Sequence, residues 1–592
     1  MKTIGDLILK RVQLSPKQNS VGIVGANKRP VFLSFIDYFK KIESLSLALS
    51  MIGLKPQQKV MIWAKSSLDW HLMDLSILCN GSITIPVHHD ISEEDFAYIW
   101  EHSEAEYLVV DDLKKFQQYS RKLKRVPNKI IVLSDASIQS DSEDSYINLN
   151  KLTELGIQEV SLNPDTFKSR LKSLSANHVA TIVYTSGTTA NPKGVIITHK
   201  AIMQVLSNLK KFSQKSITYK DRFVSCLPLA HILGRCESFF SLNFGCECVF
   251  VSGAQSLVKN IKTLQPSFLI LVPLILEHIQ QKIISEISHS ELQKFLFETA
   301  QKTSDSFYSA IDRSENPKHF DILAHQLSMK FIYNNIYKSL GGNLRYIITG
   351  GAPLSPDVFH FFRNIKISVL EGYGLTETFA PCTVNPLHKQ YAGTAGVPIG
   401  DVEIKFGHDN EIMIKTDALF SGYFKDNEAT ENAFENGWLK TGDIGHFSNK
   451  GSLIVTGRKK DLIITKGGKN IVPYKIEQML NKSDYINFSM VIGDKREFLT
   501  ALIAIKPLKC IQNCKETTED FTIQELAQHH EVKKLIKKEI ERINKNLAGY
   551  EQVRDFKIVP IENKSEFHTL SLKLKRAKLE IQFKELIAAM YH

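Results

Sequence analysis

The stretch Thr181-Ile-Val-Tyr-Thr-Ser-Gly-Thr-Thr-Ala-Asn-Pro-Lys-Gly-Val-Ile-Ile-Thr-His199 decides how the chain reads. Thr181 to Tyr184 has the apolar, β-branched character of a buried strand, and it empties into Thr185-Ser-Gly-Thr-Thr189, four hydroxyls around one glycine. Pro192-Lys193-Gly194 and a second β-branched run, Val195 to Thr198, follow. Two strands joined by such a loop suit a polyphosphate. Backbone N–H groups and hydroxyls donate, glycine allows close approach, and lysine supplies charge. The loop is not of the Walker A type, because Pro192 rather than glycine precedes Lys193 and Gly194 rather than Ser or Thr follows it. A polar hairpin loop without a ligand is the plainer alternative.

Working outward, a chain of 592 residues exceeds what one hydrophobic core organises, so two or more domains are expected. A net charge of +11 points to anionic ligands or an anionic membrane surface. No clustered basic and aromatic pattern marks a nucleic-acid binder. Eight cysteines are too sparse for a disulfide framework, and neither Cys246/Cys248 nor Cys510/Cys514 has zinc-knuckle spacing. A reducing compartment is expected. Met1 to Lys10 lacks the pattern of a signal peptide, and the most apolar run, Phe268 to Leu276, is interrupted by Pro273. It falls far short of the roughly 20 residues of a spanning helix. The expected protein is cytoplasmic, at most peripheral at the inner face of a membrane.

A helix at about 33–53, a strand at Lys59–Trp63, a helix at Leu68–Cys79 and strands near Gly81–Pro86, Tyr107–Asp111 and Lys129–Leu133 alternate as in an open α/β sheet with parallel strands. Asp135 to Ser145 reads as a surface loop. Leu227-Pro-Leu-Ala-His231 reads as a strand ending at a proline, and Gln265 to Glu277 as a strand turning into a helix. Residues 278–340 carry apolar positions three and four apart, including Ile283, Ile284, Ile287, Phe295, Leu296, Leu323 and Leu327. This predicts an amphipathic helical insert, covering a sheet face or serving as a platform for membrane or partner contact. Lys533 to Leu547 predicts a second amphipathic helix, its stripe Leu535, Ile536, Ile540, Ile543 and Leu547.

Tyr184-Thr-Ser-Gly-Thr-Thr-x-x-Pro-Lys-Gly194 resembles the phosphate loop of the AMP-forming, adenylate-forming superfamily. Leu227-Pro-Leu-Ala-His231 and the 278–340 insert resemble its long-chain acyl-CoA synthetases. The resemblance implies an α/β fold with a large N-terminal domain, residues 1–459, of layered α/β subdomains plus a distorted barrel. A small mobile α+β domain, residues 460–592, would carry a catalytic lysine. It further implies ATP with Mg2+ and CoA as co-substrates, and a long-chain fatty acid as substrate.

On that resemblance, Thr185, Ser186, Gly187, Thr188, Thr189 and Lys193 cradle phosphates. Gly350, Gly351, Ala352 and Pro353 let a purine lie against backbone, and Glu371, Gly372 and Tyr373 complete that wall, Tyr373 offering a ring to stack on. Thr376 donates to the α-phosphate, and Glu377, with Thr185, is a hard oxygen ligand for Mg2+. Asp443 accepts the ribose hydroxyls, Arg458 adds a second contact, and Lys460 is the hinge. Gly467, Gly468, Lys469 and Asn470 line a pantetheine tunnel, and His231 and Gly350 border the acyl pocket. A hydrogen-bonded core histidine is the alternative for His231. Lys573 stands at the catalytic lysine of His568 to Arg576, where Leu570 and Ser571 depart from the family's proline and threonine. Lys575, on the same face of an expected strand, is the next candidate.

The expected reaction is adenylation of a fatty carboxylate followed by transfer to CoA. Two other readings stay open: an acyl-AMP ligase that loads a carrier protein, and a lipid-binding homologue without catalysis. Homodimerisation is likewise open.

Overall fold

The structure is a computed structural model that describes residues 1–134, 145–185, 191–214, 216–287, 290–514, 521–561, 567 and 574–591. The expected loop from Asp135 lies outside the described residues except for Ser145.

The chain divides into two compact units. The first holds Met1–Ile404, Ile414–Leu439 and Asn449–Leu453; the second holds Lys405–Met413, Lys440–Ser448 and Ile454–His592.

The first unit is organised on an eight-stranded sheet. From one edge its strands are Gly422–Tyr423, Lys193–Thr198, Val179–Thr185, Ile83–Val87, Lys59–Trp63, Tyr107–Val110, Lys129–Val132 and Tyr146–Asn148. The strands from Val179–Thr185 onward pair in parallel, and Lys193–Thr198 and Gly422–Tyr423 add antiparallel at the edge. Strands covered on both faces are apolar almost throughout, as Met61, Ile62, Val109 and Val110 are here, all fully buried. The helix Leu68–Cys79 starts where Ser67 accepts from the Trp70 N–H, satisfying one of the unpaired donors of its first turn.

A second, five-stranded sheet runs Phe268–Leu271, Tyr346–Thr349, Ser368–Leu375, Ala380–Val384 and Val397–Pro398, its first three strands parallel. A third sheet orders Arg222–Ser225, Glu247–Phe250, Asn19–Val24 and Pro30–Ser34. The strand expected up to Pro228 ends earlier, at Ser225, and His231 precedes the short helix Ile232–Ser238, its side chain making no cap hydrogen bond.

Residues 278–340 are helical, in Pro273–Ile287, Glu291–Asp312, His319–Ser328, a π turn at Met329–Tyr333 and Asn334–Ser339. Most of their expected apolar stripe faces outward. Ile283 is buried, whereas Ile284, Phe295, Leu296, Leu323 and Leu327 are exposed, as are Leu292, Phe320 and Phe331. The core contacts of the long helix come from Phe297, Ala300 and Ser304. Periodicity located the amphipathic helices but not which face their neighbours cover.

In the second unit the strands Ile486–Ile492, Leu499–Ile505 and Val553–Ile558 form one sheet. Its core takes Ile536, Ile540, Ile543 and Leu547 from the amphipathic stretch read in the sequence, with Leu535 at its margin. Among the described residues no helix is long and apolar enough to cross a membrane.

Candidate active site

Val179–Thr185 and Lys193–Thr198 form an antiparallel hairpin in which Thr185 stands opposite Lys193. Thr185 is half-buried; Ser186, Gly187, Thr188 and Thr189 lie outside the described residues. The Lys193 ammonium is 2.9 Å from Asp426 Oδ2 and sits over the Tyr423 ring, 5.3 Å from its centroid. Tyr423 in turn donates its phenol to Glu377 Oε1 at 2.8 Å.

Backbone bonds fix the same three segments. Ser421 and Phe424 donate to the Ile196 and Gly194 carbonyls, and Phe420 donates to the Glu377 carbonyl at 2.8 Å. Asp426 is anchored as well, its Oδ1 capping the Ala429 N–H. The sequence reading missed Tyr423 and Asp426. Their contacts run to residues 46 and 233 positions away, in a stretch that reads locally as a turn.

Gly350, Glu371 and Gly372 come together at the ends of two parallel strands, Tyr346–Thr349 and Ser368–Leu375. A Cβ on Gly350 would lie 2.9 Å from the Gly372 carbonyl oxygen, and one on Gly372 would lie 2.8 Å from that of Thr383. Only glycines permit this packing of backbones. Gly351 follows in the left-handed region, φ +84°, with open space around it. Ala352 is half-buried and Pro353 exposed. The Glu371 carboxyl is buried, its Oε1 accepting from the Leu354 N–H at 3.1 Å and its Oε2 without a hydrogen-bond partner. Burial lifts its pKa to about 8, with the Leu354 N–H acting against that rise. At neutral pH this favours the protonated carboxyl. Tyr373, half-buried, pairs with Thr383, and Thr376 and Glu377 occupy a single half-buried 3-10 turn.

His231 Nε2 is buried with no hydrogen-bond partner, so at this atom the histidine is not the satisfied core residue of the alternative reading. Burial, and then the neighbouring His88, lower its pKa to about 4, which keeps the ring neutral. The two rings lie 5.4 Å apart. His88 was not singled out from the sequence, since a histidine at the end of the strand Ile83–Val87 carries no local signal.

In the second unit, Asp443 is buried and pairs with Arg458, whose Nε lies 3.1 Å from Oδ1. Lys460 is exposed in the 3-10 turn Lys459–Asp461. Gly467, Gly468, Lys469 and Asn470 form the exposed tip of the hairpin Ile463–Ile464/Asn470–Ile471, where Gly468 takes φ +72°. Lys573, Leu570 and Ser571 lie outside the described residues. Lys575 is exposed and caps the helix Arg576–Gln582 rather than lying in a strand. Arg576 closes the motif and is tied to Glu477, Nη1 to Oε1 at 2.6 Å.

The sequence profile described as AMP-binding enzyme matches residues 13–424, and that of the AMP-binding enzyme C-terminal domain matches residues 460–592. The chain belongs to the AMP-binding enzyme family. Similar relatives of this AMP-binding enzyme include the long-chain-fatty-acid–CoA ligase FadD15 of Mycobacterium bovis, 28% identical and covering 93% of this chain and 91% of its own. The fatty acyl-CoA synthetase B of Dictyostelium discoideum is also 28% identical, covering 97% and 87%. The long-chain-fatty-acid–CoA ligase 5 of Rattus norvegicus is 27% identical, covering 100% and 88%.

The fold is that of adenylate-forming enzymes. O-succinylbenzoate coenzyme A synthetase of Bacillus subtilis, in complex with ATP and magnesium ion, superposes with a TM-score of 0.67 at 21% identity, covering 97% of this chain and 99% of its own. The Mycobacterium tuberculosis fatty acyl CoA synthetase superposes with a TM-score of 0.61 at 20% identity, covering 99% of each chain.

Glu377 is a single hard oxygen donor of the kind a divalent cation takes, and among the described residues no cluster of three or more His, Cys, Asp or Glu side chains accompanies it. The hydrogen-bond partner on Glu377 Oε1 is a neutral phenol, so that bond leaves the carboxylate charge in place for a metal. Lys193 and Glu377 both contact the side chain of Tyr423, the ammonium over its ring and the carboxylate at its hydroxyl.

Proposed function

We propose that the chain activates a long-chain fatty acid with ATP and transfers the acyl group to CoA. The carrying observation is the convergence of Lys193 and Glu377 on Tyr423 beside the Thr185–Lys193 hairpin end. The full-length relatives named long-chain-fatty-acid–CoA ligases supply the substrate class.

A carboxylate is a poor acyl donor because its leaving group would be oxide. Attack of a carboxylate oxygen on the α-phosphorus forms the acyl-adenylate and breaks the bond to pyrophosphate. Such a step needs positioning and charge neutralisation rather than a covalent nucleophile. Lys193 and the hydroxyls of residues 185–189 hold the departing phosphates. Thr376 and Lys573 hold the α-phosphate and the acyl oxygen. Mg2+, which Glu377 and Thr185 would hold, supplies neutralisation of the phosphate charge. Tyr373 and Gly350–Pro353 support the base, and Asp443 with Arg458 the ribose. In the second half-reaction the CoA sulfur attacks the acyl carbonyl, the bond to AMP breaks, and the thiol proton leaves to solvent. Reorientation about Lys460 would exchange Lys573 for the Gly467–Asn470 hairpin between the two steps. His231, neutral and next to His88, borders the acyl chain without placing a charge there.

Pyrophosphate release from ATP and palmitate, with and without CoA, tests this reading. CoA-dependent thioester supports it; acyl-adenylate that stalls in the presence of CoA favours a carrier-protein acceptor; absence of release rejects catalysis. Lys573→Ala is expected to abolish adenylation while sparing thioester formation from supplied acyl-adenylate.

We also assign membrane contact to the exposed apolar side chains of the helical insert, Leu292, Phe295, Phe320 and Phe331, each about two-thirds exposed or more at 67%, 65%, 73% and 65%. Co-sedimentation with anionic vesicles tests it, and light scattering separates it from self-association through the same residues.

A further inference from the structure

We propose that Tyr423 is a positioning residue of the phosphate site, one that orients Glu377 toward the nucleotide-bound cation and keeps it in register with Lys193. The inference rests on the proposed adenylation reading and deepens it.

Three observations carry the assignment. Tyr423 OH donates to Glu377 Oε1 at 2.8 Å, which fixes the carboxylate's rotation and leaves Oε2 as the oxygen available to a second partner. Its ring lies beneath the Lys193 ammonium, so one side chain touches both charged groups. Its backbone cannot shift independently of either. Tyr423 is paired with Val195 of the lysine's strand, its N–H donates to Thr430 Oγ1 at 2.8 Å, and Phe420 donates to the Glu377 carbonyl. Residues 420–424 therefore lace the lysine strand to the Glu377 turn.

The phenol is suited to this place. A cation bonded to Glu377 would compete with the metal for the carboxylate's charge, whereas a neutral O–H orients it and leaves that charge in place.

The test uses the full-length chain and Tyr423→Phe, which removes only the O–H. Calorimetric titration with ATP is run in Mg2+ and in EDTA, alongside a Mg2+ titration of pyrophosphate release. Loss of one hydrogen bond to a charged group is expected to raise the Mg2+ needed for half-maximal release roughly tenfold. Affinity for metal-free ATP stays at the wild-type value. The same Tyr423→Phe change made in a Glu377→Gln background has no further effect on metal dependence, because the group it orients has already lost its charge. Equal Mg2+ dependence in Tyr423→Phe and wild type overturns the assignment, and so does an equal loss of affinity with and without metal. A wild-type chain that binds no ATP in Mg2+ instead removes the adenylation reading and, with it, this one. The two failures are told apart by the wild-type titration alone.

Discussion

Arg458 reaches Asp443 with its Nε 3.1 Å from Oδ1, joining a half-exposed guanidinium to a buried carboxylate. The Asp443 N–H is itself held by Thr441 Oγ1 at 3.1 Å, and Thr441 donates to the Ile412 carbonyl. Asp443 is thus anchored at both its side chain and its backbone, which prepares it for the proposed ribose role. Asp443→Asn is expected to raise the KM for ATP by roughly tenfold or more, the worth of a charged hydrogen bond. Arg458→Lys should cost less, because a lysine keeps the charge and loses only the fork. Steady-state kinetics at saturating fatty acid check both, and an unchanged KM in Asp443→Asn would remove the ribose role.

Gly350→Ala must move backbone, since its new Cβ would meet the Gly372 carbonyl oxygen at 2.9 Å. Overpacking of this kind costs about 1–3 kcal/mol. The shift propagates to Tyr373, the residue after Gly372, so the KM for ATP should rise along with a drop in melting temperature. Gly351→Ala meets no atom within 4 Å but retains φ +84°. Its cost is conformational, about 1–2 kcal/mol, and should appear in stability more than in KM. Equal kinetic effects of the two changes would contradict this separation.

A buried polar cluster supports the strand Val179–Thr185, which leads into the hairpin with Lys193–Thr198. Arg235 pairs with Asp74, both side chains fully buried, and Arg235 Nη1 donates to Thr181 Oγ1 at 2.6 Å. Removing one member leaves the other charge unpaired. Arg235→Met is therefore expected to destabilise the first unit by about 3–5 kcal/mol. The double change Arg235→Met with Asp74→Leu should recover most of that loss. Denaturant unfolding of the four proteins of the cycle measures the coupling, and additive losses would sink the argument.

What the sequence made legible was local. The strand Lys59–Trp63 and the helix Leu68–Cys79 are read from the sequence at the bounds the structure gives, because their apolar runs are written in adjacent residues. The Gly350–Gly372 contact was half legible, as small residues flagged the wall but not the strand lying against it. Tyr423, Asp426, His88 and the Arg235–Asp74 pair were not legible. Each acts on a group distant in sequence, and a charged residue such as Arg235 reads as surface until the fold encloses it. The outward face of Phe295 and Leu323 was open in the sequence for a related reason: a stripe marks two faces and leaves undecided which one is covered.

His199 makes the first unit sensitive to acid. The ring is fully buried, its Nδ1 accepts from the Ile4 N–H at 3.5 Å, and its Nε2 has no partner. Burial first, and His178 second, lower its pKa from 6.5 to about 4. In the unfolded chain the imidazole binds a proton near its ordinary pKa, so between about pH 6.5 and 4 the unfolded state holds more protons than the folded one. The stability this residue contributes is therefore complete above about pH 6.5 and falls as the pH drops toward 4. Its share of the slope approaches about 1.4 kcal/mol per pH unit within that window. All four tryptophans, Trp63, Trp70, Trp100 and Trp438, lie in the first unit, so their emission reports its unfolding. Urea titrations at pH 7.5, 5.5 and 4.5, values chosen to bracket the window, should show a steeper acid loss in wild type than in His199→Gln. Buried His71, lowered to about 3, contributes a slope of its own to both proteins and cancels in the comparison. Parallel pH dependence in the two proteins would show that His199 is protonated in the folded state or exposed to solvent there.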